Sequence, residues 1–266
     1  MAFTFPWGLL GVILVSAALL GVSTIAILIL ALTISHNTAV AKCRPKHTPA
    51  HLLVVLGSGG HTTEMLSMLD HMELDQSLYT YRTYLVSSGD SFSANKAVEF
   101  ENKHKPDAPA TAHTNSYSVV TVPRARKVHQ SYLSAPFSTL ECFWACLLVL
   151  RGLHPDQPRL PGKFTSPYPD IIFANGPATA VCVMLAAKLL RFLQCIHRFF
   201  SRSQSPRIPR LRTVFVESWA RVRNLSLSGL LLLPVADRFF VQWPGLGGRR
   251  AWWGMQKTEY VGWLVL

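Results

Sequence analysis

Apolar residues run almost without interruption from Trp7 to Ile34, and no charged side chain occurs between Met1 and Ser35. A bilayer core takes about 20 apolar residues at a rise of ~1.5 Å each, so residues 1–36 are predicted to form a transmembrane anchor. A cleaved signal peptide ending at Ala39-Val40-Ala41 is the rival reading. Signal cores are about 7–15 residues long and follow a basic start, however, and no basic start is present. Residues 37–50 make a basic linker carrying Lys42, Arg44 and Lys46. Basic residues on this flank alone place residues 51–266 on the cytosolic side.

Beyond the linker the pattern changes to short apolar runs alternating with helical periodicity. His51–Leu56 suits a strand buried on both faces, and the glycines after it open a helix with Met65, Leu66, Met68 and Leu69 on its apolar side. Further strands are expected at Tyr81–Ser87, Tyr117–Val122, Asp170–Ala174, Arg212–Val216 and Asp237–Gln242. Helices are expected at Ser91–Lys103, Ser131–Leu153, from Ala178 onward, and near Leu225–Pro234. Six strands separated by helices predict an α/β fold, a Rossmann-like doubly wound domain behind a single N-terminal transmembrane helix. The apolar stretch Ala178–Phe200 is interrupted by Lys188 and Arg191, which favours a buried or membrane-surface helix over a second span. Two proline-rich stretches, His154–Pro169 and Ser201–Arg210, read as surface insertions.

Composition narrows the class. The 266 residues carry 26 Lys+Arg against 14 Asp+Glu, yet only 15% of the chain is charged and 49% is hydrophobic. That balance argues against disorder and against a freely soluble nucleic-acid binder. It suits a protein that works at a membrane on something anionic. Five cysteines without a CxxC pair make a disulfide framework or a zinc site unexpected.

The chemistry concentrates in loops that follow strands. In Leu56-Gly57-Ser58-Gly59-Gly60-His61-Thr62-Thr63-Glu64, glycines join a strand to a helix, so backbone N–H groups and the helix dipole can cradle a phosphate or pyrophosphate. It is neither the dinucleotide fingerprint, which has a third glycine where Thr62 stands, nor a Walker A loop. A turn that merely packs helix on sheet is the plainer alternative. His61 could serve as general base or as a helix cap. Ala174-Asn175-Gly176-Pro177-Ala178-Thr179 forms a second such loop, and Val216-Glu217-Ser218-Trp219 a third segment in which Glu217 ends a strand, either as a solvated or capping carboxylate or facing a sugar hydroxyl or His61. Ligands of open α/β sheets lie beyond the carboxyl ends of the strands, so the three segments should meet in one crevice. Arg124, Arg126 and Lys127, also after a strand, are candidate contacts to lipid headgroups or to an anionic acceptor.

In order, Gly57–Thr62, Pro169–Pro177, Phe215-Val216-Glu217-Ser218-Trp219-Ala220-Arg221-Val222, Phe240-Val241-Gln242-Trp243-Pro244 and Tyr260-Val261-Gly262 form a recognisable set. The sequence resembles the membrane-anchoring subunit family of the eukaryotic two-subunit UDP-N-acetylglucosamine transferase. It is similar also to the amino-terminal half of the bacterial lipid-linked peptidoglycan GlcNAc-transferase. The resemblance implies the acceptor-side half of a GT-B glycosyltransferase of inverting type, inactive alone. Its role would be to recruit a separate soluble catalytic subunit to the endoplasmic reticulum membrane and so add the second GlcNAc to dolichol-pyrophosphate-GlcNAc in protein N-glycosylation. It implies acceptor pyrophosphate contacts at Gly57, Ser58, Gly59, Gly60, His61, Thr62, Asn175 and Gly176, with His61 and Glu217 as candidate catalytic groups. No metal and no cofactor of its own is implied; the donor UDP-GlcNAc would sit mainly on the partner.

Length agrees with that division. Without anchor and linker about 215 residues remain, enough for one α/β domain, so a nucleotide-sugar domain would be another polypeptide. The apolar terminal residues Trp263, Leu264, Val265 and Leu266 are candidates for the partner interface, the alternative being that they tuck into their own domain. A non-enzymatic membrane scaffold with structural glycine loops, and a self-sufficient nucleotide-binding enzyme, remain as other readings.

Overall fold

The computed structural model describes residues 49–72, 78–104, 116–126, 130, 131, 134–162, 164, 166–176, 178–201 and 211–265, and five positions of the first segment. The chain divides into two compact units, Met1–Ala39 and Val40–Leu266. In the first, Val15, Ser16, Leu20, Val22 and Ser23 are helical. The rest of the expected anchor, with the linker up to Thr48, lies outside the described residues.

The second unit alternates strand and helix: β1 (His51–Val55), α1 (Gly60–His71), β2 (Tyr81–Ser87), α2 (Ser91–Lys103), β3 (Tyr117–Val122), α3 (Ala135–Leu150), β4 (Ile171–Asn175), α4 (Ala178–Ser201), β5 (Arg212–Val216), α5 (Leu227–Leu232), β6 (Arg238–Val241) and β7 (Glu259–Tyr260). All strand pairs are parallel, in the order β3-β2-β1-β4-β5-β6-β7. The sheet therefore has seven strands rather than six. The extra one, two residues long, pairs Glu259 and Tyr260 with Phe240 and Val241.

Side chains alternate across a strand, and the core divides accordingly. Leu53 and Val55 of β1 face Cys146, Val183 and Ala187 of the layer built by α3 and α4. Leu52 and Val54 face Met65, Met68 and Leu69 of α1, and Leu264 and Val265 pack against that same cluster. Both faces are covered, which is why β1 is buried along its whole length. Helix α3 starts at Ala135 rather than Ser131, with proline in its first turn, where the missing N–H costs nothing. Helix α4 is long and apolar enough to cross a membrane by length and composition. One side of it, however, is packed into the core through Cys182, Val183, Met184, Ala186 and Ala187.

The amino ends of β1 and β2, away from the site, are covered by aromatic packing. Phe164, from the first proline-rich insertion, meets the rings of His51 and Tyr81 at the starts of β1 and β2. His51 Nε2 lies 2.8 Å from Thr83 Oγ1, and burial pushes its pKa down to about 3. Residues 202–210 of the second insertion lie outside the described residues.

Candidate functional site

Adjacent strands β1 and β4 send their chains into opposite layers, α1 on one face and α4 on the other. Such a switch point opens a crevice beyond the strand ends. Both glycine loops lie there. Gly59, the residue before α1, has φ +63° and ψ −125°, a backbone that favours glycine. No side chain caps α1, and Ser58, Gly59 and Gly60 are exposed, an open helix N-terminus suited to an anion. Thr62 points the other way: its buried hydroxyl donates to the Gly57 carbonyl and lies 2.6 Å from Ser93 Oγ, tying the loop to α2.

His61 stands on the first turn of α1 with Nδ1 3.1 Å from Asn175 Oδ1 and 3.6 Å from Glu64 Oε2. Two acceptors on one nitrogen place the proton at Nδ1, which leaves Nε2 as the basic nitrogen of the neutral ring. Gly176, at φ +87°, makes room for this ring, because a Cβ there would lie 2.8 Å from His61 Cγ. The Glu64 carboxylate beside Nδ1 raises the His61 pKa above the ordinary histidine value against the opposing effect of burial, helped by Asn175 and the charge of Glu217.

Glu64 is the buried centre of the arrangement. Its Oε1 accepts from the Trp219 N–H at 2.5 Å and from Gln242 Nε2 at 3.0 Å, and its Oε2 accepts from Ser218 Oγ at 3.0 Å. Burial alone would push this carboxyl up, but its polar neighbours His61, Trp219, Asn175 and Ser218 together hold it below the usual carboxylate range. Glu217, by contrast, is turned under α5 with 1% of its surface exposed. Its Oε2 accepts from the Ser226 N–H at 2.9 Å and Ser226 Oγ at 3.2 Å, and Ser226 caps α5 through Gly229 N–H. The Glu217 carboxylate thus holds Ser226, the cap of α5, and bears on His61 through its charge.

The basic run lies after β3. Arg124 Nε donates to the Ser88 carbonyl at 2.8 Å, Arg126 is exposed, and Lys127 lies outside the described residues. At the carboxyl end Leu264 N–H donates to Gln242 Oε1 at 3.1 Å, so the tail is seated on its own domain. Trp263 remains 55% exposed and stands at the end of a row of rings, 6.0 Å from Trp243, which is 6.1 Å from Trp219. Leu266 lies outside the described residues.

The family described as "Oligosaccharide biosynthesis protein Alg14 like" matches residues 52–264, a range that takes in both glycine loops, Glu64 and Gln242. The chain belongs to the Alg14 family. The UDP-N-acetylglucosamine transferase subunit alg14 of Aspergillus fumigatus is 54% identical over 227 residues, covering 76% of this chain and 100% of the relative. The human UDP-N-acetylglucosamine transferase subunit ALG14 is 33% identical over 214 residues, covering 80% of this chain and 82% of the relative. Among solved structures, Acinetobacter baumannii MurG is similar with a TM-score of 0.43 and 14% identity, over 74% of this chain and 42% of that one.

Within this Alg14-family domain the structure brings together His61, Asn175 and Gly176 as expected from their loops. It draws in Ser218 and Trp219 from the third segment, and adds Glu64 and Gln242, which sequence reasoning did not place in the site. One signal was available for Glu64. It stands three residues after His61 on one helix, a spacing that stacks two side chains on the same face. Gln242 gives no local signal, because its partner Glu64 is 178 residues away.

Proposed function

We propose that this chain is the membrane-anchored, acceptor-binding subunit of a UDP-GlcNAc transferase. A separate soluble subunit holds the donor, and the pair works at the cytosolic face of the endoplasmic reticulum. The product is the second GlcNAc linkage on dolichol-pyrophosphate-GlcNAc. The observation that carries this reading is the uncapped glycine turn at α1 beside a histidine whose Nδ1 is held by two acceptors. The open N–H groups suit the pyrophosphate, and Nε2 suits a neighbouring sugar hydroxyl. In the step, the acceptor hydroxyl oxygen bonds to the anomeric carbon of GlcNAc as the bond to UDP breaks. The hydroxyl proton passes to Nε2 of His61. The similarity to the fungal and human transferase subunits supports the transferase assignment.

The test combines the purified chain, its soluble partner, labelled UDP-GlcNAc and dolichol-pyrophosphate-GlcNAc. Transfer is expected with both chains together and with neither alone. Gly60→Trp should abolish transfer while the partner still copurifies. Transfer by the partner alone at the full rate would leave this chain a scaffold and overturn the proposal.

A further inference from the structure

Gln242 lies just beyond β6, buried, with both ends of its amide engaged. Its Nε2 donates to Glu64 Oε1 at 3.0 Å and to the Glu217 carbonyl at 3.2 Å, and its Oε1 accepts from the Leu264 N–H at 3.1 Å. A carboxylate and a carbonyl only accept, and a backbone N–H only donates, so one orientation of the amide satisfies all three. Glu64 is fixed in its turn by Trp219 N–H and Gln242 on Oε1 and by Ser218 on Oε2, the oxygen that faces His61 Nδ1. The line of contacts therefore runs by hydrogen bonds from the backbone at Leu264 to Gln242 and Glu64, and ends on the 3.6 Å ion-pair contact between Glu64 and the imidazole.

We propose that Gln242 and Glu64 are positioning residues that transmit the seating of the C-terminal segment at Leu264 to His61 and hold its ring as the Nδ1–H tautomer. The inference rests on the reading above that Nε2 of His61 meets the acceptor. Buried networks are worth most when every member is satisfied, and loss of one member loosens the others. The groups that face the ring are Glu64 from α1, Asn175 from β4 and, through its charge, Glu217 from the end of β5. Gln242 reaches the ring only through Glu64. A partner that grips the tail would thus act on the same contacts that fix the base.

The full-length chain in detergent micelles, labelled with ¹⁵N-histidine, tests this without any transfer assay. The His61 ring signals are assigned from His61→Gln. The neutral ring is expected to be Nδ1–H in the native chain. In Gln242→Met and in Leu264→Pro, which removes the donor to Gln242 without touching the site, the ring should become a mixture of tautomers. Far-ultraviolet dichroism checks that each variant is folded; if Gln242→Met is not, Leu264→Pro, at the surface end of the relay, carries the result. In the assembled transferase, Gln242→Met should lower kcat with little change in KM. The loss should fall between about tenfold and the roughly 10⁴-fold that follows removal of the orienting carboxylate behind a catalytic histidine. A ring that stays Nδ1–H in the folded variants overturns the relay, even if transfer proceeds as proposed. A mixed ring without any transferase activity in the native complex would instead overturn the functional reading and leave the relay standing.

Discussion

Asn175 Oδ1 and His61 Nδ1 lie 3.1 Å apart although 114 residues separate them, one from the end of a strand and the other from the first turn of a helix in the opposite layer. The contact joins the two glycine loops and gives Nδ1 an acceptor, which leaves Nε2 as the basic nitrogen of the neutral ring. Asn175 is fully buried, so its amide cannot swing away to solvent. The same surroundings raise the His61 pKa, and the proposed role of the ring is that of the base.

A base acts in its neutral form, so turnover should rise with pH through the raised pKa of His61. Glu64 is the largest cause of that rise, ahead of the opposing burial, so Glu64→Gln should move the acid limb of the kcat profile to lower pH. His61→Ala should lower kcat by about 10²–10⁴-fold. The same pair has a stability signature. The protonated ring contributes stability that is present below about pH 6.5 and lost as pH rises through the raised folded pKa. Glu64, held low, contributes stability that is present above about pH 4.3 and lost as pH falls through its depressed folded pKa. Urea unfolding of native protein and Glu64→Gln across this range checks both signs; identical pH dependence in the two would remove the pair from the account.

Gly176 and Gly59 offer a matched comparison. Both have positive φ, but a Cβ at Gly176 would meet the His61 ring at 2.8 Å while a Cβ at Gly59 meets nothing within 4 Å. Gly59→Ala should therefore cost only backbone strain, about 1–3 kcal/mol, and spare the orientation of His61. Gly176→Ala adds a collision, so the ring must turn off Asn175 and turnover should fall out of proportion to stability. Thermal unfolding and kcat measured on both variants separate the two effects.

The strands were legible because a parallel strand covered on both faces leaves an unbroken apolar run, as in Leu52–Leu56. Tyr81–Ser87, Tyr117–Val122 and Arg212–Val216 come out with the expected bounds. Strand β7 was not legible, since two residues are too few to show a period of two. The glycine loops announced themselves through composition, and so did His61. Glu64 did not, because a carboxylate near a helix start reads as an exposed residue favoured by the dipole. Only the fold reveals that Trp219, Ser218 and Gln242 converge on it.

Glu217 carries a prediction opposite to that for Glu64. A Cβ at Gly229 would sit 2.2 Å from Glu217 Oε2, so the glycine exists at this position to admit the carboxylate. Gly229→Ala should displace the carboxylate and release Ser226, the cap of α5. The loss of stability should be about 1–3 kcal/mol, the penalty for unsatisfied buried polar groups. Glu217→Gln keeps the shape and one acceptor oxygen, and should retain most of the turnover. A loss of kcat as large as that of His61→Ala would instead make Glu217 a direct participant.

The tail separates a folding role from a binding role residue by residue. Leu264 and Val265 pack against the α1 side of the core, and Leu264 is held by Gln242, so their removal should lower stability as well as any binding. Trp263 is different. It is more than half exposed at the end of the Trp219–Trp243 row, and an exposed aromatic of this kind is typical of an interface anchor. Trp263→Ala should leave the unfolding midpoint within about 0.5 kcal/mol of native, as surface substitutions do. Recovery of the soluble subunit with the chain from detergent extracts should fall by at least about tenfold, the effect of losing a contact of ~1.4 kcal/mol. Equal recovery with Trp263→Ala, alongside a normal midpoint, would move the interface away from this corner of the domain.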